Sequence, residues 1–119
     1  MSFTRSKELL ARVQDRTERE TATHVLQIAE TLPRRHVDQR EETIAQIHSL
    51  SGRIDYVFDH DFGASLFEEA AEVATDPDTK KLLYRHAFYR ASWCTQAATA
   101  GGEAICRAVD LNRIKTKLG

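Results

Sequence analysis

The sequence predicts an all-α fold, an up-and-down antiparallel helical bundle of four to five helices, on three observations. Apolar residues recur at steps of three and four along almost the whole chain. The intervals between these runs are short and carry helix punctuation at Pro33, Asp76-Pro77 and Gly101-Gly102. No stretch shows the apolar/polar alternation of a half-buried strand. Short connections make successive helices antiparallel neighbours. The 119 residues suit one helical-bundle domain, residues 1–119, able to bury a sizeable core.

The first run, Thr4 to Leu32, places Leu10, Val13, Thr17, Thr21, His24, Ile28 and Leu32 on one helical face, and Pro33 ends it. Asp38 stands three residues before Glu41, a capping-box-like start for a second helix with Ile44, Ile47, His48, Ser51, Ile54 and Phe58 as its stripe. Asp61-Phe62-Gly63 predicts an interruption, and Ser65 with Glu68 a new cap for a short third helix through Leu66, Phe67, Ala70 and Ala71. Asp76 is a good N-cap and Pro77 a good first residue for the fourth helix. That helix carries Leu82, Leu83, His86, Ala87, Trp93, Cys94 and Ala97, a stripe broadened further by Tyr89. Gly101-Gly102 marks a break before a last face of Ile105, Ala108, Leu111, Ile114 and Leu118.

Composition narrows the function. Hydrophobic residues are 41% and charged residues 29%, which excludes both a disordered chain and a continuous apolar span. With 17 Lys+Arg against 18 Asp+Glu the net charge is -1, so no global field draws the protein to nucleic acid or to an anionic membrane. The N-terminal MSFTRSKELLARV is charged and has no apolar signal core, from which a cytoplasmic location is expected. Cys94 and Cys106 would lie about 18 Å apart on a continuous helix, and both are read as free thiols.

Two constellations carry potential chemistry. If the first two helices pair about Pro33, Thr21 faces His48, and Glu20, His24 and His48 converge as a candidate metal set of two imidazoles and one carboxylate. The same arithmetic places His60 and His86 at levels far from His48. The second constellation is aromatic, since eight of the nine aromatic residues fall between Tyr56 and Trp93. Tyr56, His60, Tyr89 and Trp93 form the candidate interface or ligand-binding set at that end of the bundle.

The basic residues Lys80, Lys81, Arg85 and Arg90 are expected to meet the acidic Glu68, Glu69 and Glu72 of the neighbouring helix. Phosphate-loop, nucleophile-elbow and zinc-ribbon patterns do not occur. The expected function is therefore that of a small non-enzymatic interaction or regulatory protein. Its partner is another copy or another protein, met through the fourth helix, and no cofactor is required. The alternative is a bundle that binds a small ligand, or a metal ion at Glu20, His24 and His48. Acid–base catalysis by Asp59, His60 or His86 is a third reading for which no spacing fixes a substrate.

Overall fold

The computed structural model describes residues 3–34, 37–51, 56–101 and 111–118, with the side chains of 34, 37, 38, 51, 56–60, 93–101, 111 and 112 outside the description. Within these residues the chain is all-α, with α1 at Thr4–Ala11, α2 at Arg16–Thr31, α3 at Val37–Ser51, α4 at Tyr56–Val73, α5 at Pro77–Gly101 and α6 at Leu111–Leu118. The bundle expectation holds, with six helices among the described residues in place of four or five. None of them is long and apolar enough to cross a membrane.

The first run is two helices. After Ala11, the N–H groups of Arg12 and Val13 bond back to the carbonyls of Leu9 and Leu10, closing α1 with a tight turn. Asp15 then caps α2, its carboxylate accepting the Glu18 N–H at 2.9 Å. The Arg19 guanidinium donates to the Val13 carbonyl and fixes the corner between the two helices. The Asp15-x-x-Glu18 pattern was the local signal for this break. The core face of α2 is also rotated from the expected one: Ala22, Val25, Leu26 and Ala29 are buried, whereas Thr17 and His24 are exposed. Small Ala22 and Ala29 let neighbouring helices approach closely. A 3-10 turn at Leu32–Arg34, containing Pro33, ends this unit as expected.

α4 is the central element. It runs without interruption through Asp61-Phe62-Gly63, and every residue from Asp61 to Ala71 is buried. Ser65 is accordingly not a cap; it lies within the helix, its hydroxyl 2.8 Å from that of Ser6 on α1. Glycine inside a helix costs about 1 kcal/mol relative to alanine, but Phe62, Leu66 and Phe67 around it are all fully buried, a larger gain. α1, α2, α3 and α5 pack against α4, and α6 reaches it through Arg113.

Asp76 and Pro77 start α5 as predicted. The Asp76 carboxylate accepts from the Thr79 N–H at 2.9 Å and from its hydroxyl at 2.7 Å, and those bonds hold its carboxyl below the usual carboxylate range. Lys80 reaches back to the carbonyl of Ala71 at 2.9 Å, placing a cation at the C-terminal end of α4. α5 is described as far as Gly101, and the break expected at Gly101-Gly102 falls at the edge of the described residues. α3 and α5 run in the same direction, since Arg40 lies 3.9 Å from Asp76 at one end while His48 meets His86 and Arg90 further along both helices.

Leu66 is enclosed from every side on α4. Leu66→Ala is expected to lower unfolding free energy by about 2–5 kcal/mol, measured by urea denaturation; a loss below about 1 kcal/mol would contradict the central placement of this helix.

Candidate functional site

α4 carries two polar clusters into the core. The first faces α1 and α6. Phe3 precedes α1 with φ 64° and provides no side-chain cap, so the first N–H groups of that short helix need another acceptor. Glu69 supplies it, accepting the Arg5 N–H at 2.7 Å and the Ser6 N–H at 3.4 Å. Burial pushes the Glu69 carboxyl above the ordinary carboxylate range, against the lowering effect of the Arg5 N–H, the Arg5 charge and Ser6. The preceding residue, fully buried Glu68, accepts two 2.8 Å bonds from the Nε and Nη2 of Arg113, the bidentate geometry that suits guanidinium to carboxylate. Arg5 adds a contact to Glu68 at 3.3 Å and one to Glu72 at 3.0 Å. Burial, and then the charges of Glu72 and Glu68, push the Tyr84 hydroxyl above its ordinary range, so it stays protonated.

The second cluster lies between α3, α4 and α5. Arg90 is buried, and its guanidinium lies against Gly63 of α4, where an added Cβ would fall 2.7 Å from Nη2. Gly63 is thus a close-approach position rather than a break. Arg90 Nη1 lies 2.9 Å from His48 Nδ1, and His48 Nε2 lies 3.3 Å from His86 Nδ1. The rings of His48 and His86 each stand 5.3 Å from that of Phe67, which lies beneath both.

Hydrogen-bond chemistry fixes the protons. Arginine has no acceptor, so Arg90 donates and His48 Nδ1 carries no proton. Neutral His48 then bears its proton on Nε2 and donates it to His86 Nδ1, which leaves the His86 proton on its own Nε2. The chain from Arg90 through His48 to His86 is directional, with both imidazoles neutral. Burial first, and the Arg90 charge second, hold the His86 pKa below its ordinary value, with Glu41 pulling the other way.

The sequence-based candidates are placed as follows. Glu20 and His24 are exposed, Glu20 pairing with Arg16 on its own helix at 3.3 Å, while His48 is half-buried on α3. They are not brought together: among the described residues no group of three His, Cys, Asp or Glu side chains could hold a metal ion. The rotation of the α2 core face turns His24 outward, and both ring nitrogens of His48 are already engaged. His86, expected far from His48, is its hydrogen-bond partner, because side chains of α3 reach across to α5.

Tyr89 is exposed on α5, whereas the side chains of Tyr56, Asp59, His60, Trp93 and Cys94 lie outside the described residues, as does Cys106. Of the broad α5 stripe, Leu83 and Ala87 are buried and Leu82 packs half-buried against the core, while Ala97 also lies outside the described side chains. Glu68 and Glu69 meet Arg5 and Arg113 rather than the basic residues of α5. Sequence reasoning singled out neither arginine. The available signal was a pair of carboxylates on an otherwise apolar helix, since buried acids require partners.

Comparison with protein-family models, with curated proteins and with solved structures finds no match. The geometry itself therefore carries the functional argument.

Replacing Arg113 by methionine leaves Glu68 with the 3.3 Å contact to Arg5 as its cationic partner among the described residues. Arg113→Met is expected to destabilise the fold by about 3 kcal/mol, the lower end for breaking a buried ion pair. Glu68→Gln should cost less, because Arg113 is 40% exposed and can hydrate. Equal stability of the wild type and Arg113→Met in guanidinium titration would contradict this assignment.

Proposed function

We propose that the protein is a non-enzymatic helical interaction protein that pairs with a second copy of itself through the face formed by α3 and α5. The observation that carries this reading is the outer line of α5, where Lys81, Arg85 and Tyr89 are exposed on successive turns and Tyr89 is 54% exposed. Tyrosine and arginine are among the residues that most often anchor interfaces. On α3, beside this line, Glu41, Glu42, Ala45 and Gln46 are exposed.

The two helices are parallel neighbours with acidic and basic outer residues respectively, and that arrangement is self-complementary. A two-fold axis running between them, along their length, lays α3 of one copy over α5 of the other. Each copy then sets Glu41 and Glu42 against its partner's Lys81 and Arg85, and the contact occurs twice. The internal polar clusters fit the same reading, since Glu68, Glu69, Arg5 and Arg113 are engaged in joining helices.

Light scattering and native mass spectrometry test the reading. A dimer is expected that weakens at high salt. Arg85→Glu and Glu42→Lys should each weaken it roughly tenfold, and the double variant should recover most of that loss. A chain that stays monomeric at high micromolar concentration, or a double variant no better than the singles, would exclude this interface.

A further inference from the structure

We propose that the hydrogen-bond chain Arg90–His48–His86 is an acid-sensitive latch that holds α3 against α5, and that an added proton loosens it. The inference goes beyond self-association and does not rest on it. Arg90 is buried and seated on the Gly63 backbone, so its charge stays in place when the pH changes. It can only donate, which makes a bare His48 Nδ1 the condition for the 2.9 Å bond. A proton on His48 Nδ1 replaces that bond by two N–H groups pointing at each other and two adjacent cations. A proton on His86 Nδ1 does the same to the 3.3 Å bond that follows. Each site of protonation therefore removes one of the two bonds that join α3 to α5.

The surroundings define the direction of the response. On α5 the charge acting on His86 is Arg90, which opposes protonation; on α3 it is Glu41, which favours it; burial and Arg90 together outweigh Glu41. α4 faces the pair with Phe67 and the uncharged Gly63, while its buried carboxylates include Asp61 and Glu68, the latter held by Arg113. Because the folded state holds His86 neutral below its ordinary value of 6.5, the unfolded or opened chain binds more protons there. The latch is complete above about pH 6.5 and weakens below it, as the pH falls toward and through the depressed value that His86 has in the folded state. Its opening uncovers Phe67 and the α3 residues Ile44 and Ile47, which are buried when α3 is seated.

Amide hydrogen exchange of the intact protein at pH 7.5 and 5.0, corrected for the intrinsic rate, reads the latch directly. α3 should lose protection about tenfold at the lower pH, the size of loss one protonation-linked contact supplies, while α4 keeps its own. His48→Gln combined with His86→Asn keeps an acceptor for Arg90 and a donor–acceptor pair between α3 and α5 without a titrating ring. In that variant the α3 response should disappear. Imidazole nitrogen resonances of the wild type provide a second readout that needs no variant: at pH 7.5 His48 should carry its proton on Nε2 and His86 on its own Nε2. Unchanged α3 protection in the wild type, an acid response retained in the double variant, or a His48 proton found on Nδ1 would each overturn the proposal.

Discussion

Glu68 lies fully buried in the middle of α4, and a carboxylate there imposes conditions on the rest of the chain. An ion taken out of water costs several kcal/mol unless its lone pairs are met. Arg113 meets Glu68 with two short bonds from the last described helix, and Arg5 adds a third contact from the first. Glu69, next to it, accepts the leading N–H groups of α1. The two ends of the described chain are thereby tied to its centre by groups that apolar packing alone would not select. A hydrophobic helix in the place of α4 would accept many neighbours; these carboxylates accept particular ones.

The opposite side of α4 uses the same device with different chemistry. Gly63 leaves room for a buried guanidinium, and that guanidinium orients an imidazole pair which spans α3 and α5. The first cluster joins carboxylates to guanidinium groups, whereas in the second the bond from Arg90 requires a His48 Nδ1 that carries no proton. Such a site is sensitive to protons by construction. Tyr89 is one residue before Arg90 and three after His86 in sequence, so the outer surface of α5 and the polar cluster on its inner side belong to the same stretch of helix.

Local chemistry made part of this legible in the sequence. Asp76-Pro77 opens α5 because capping depends on neighbours three residues away, and the all-α class follows from apolar spacing within each helix. The Asp15 corner was equally local but was masked by an apolar spacing that continued across it. Gly63 reads as a break because glycine has low helix propensity, a preference that tertiary contact with Arg90 overrides. The bonds that define the clusters join residues 38 to 67 positions apart in sequence, as in His48–His86 and Arg5–Glu72, and no periodicity encodes such pairs. The hairpin arithmetic that brought Thr21 to His48 assumed which face of α2 turns inward; small Ala22 and Ala29 settled that question differently.

The central claim is that carboxylates on α4 organise the outer helices, and the Glu69 cap of α1 is its most direct point of test. Exchange of the Arg5 and Ser6 amides would be compared in the wild type, Glu69→Gln and Glu69→Ala. The account predicts that α1 loses protection in Glu69→Ala while α4 and α5 retain theirs, with Glu69→Gln intermediate because one acceptor oxygen remains. An α1 as well protected in Glu69→Ala as in the wild type would contradict it.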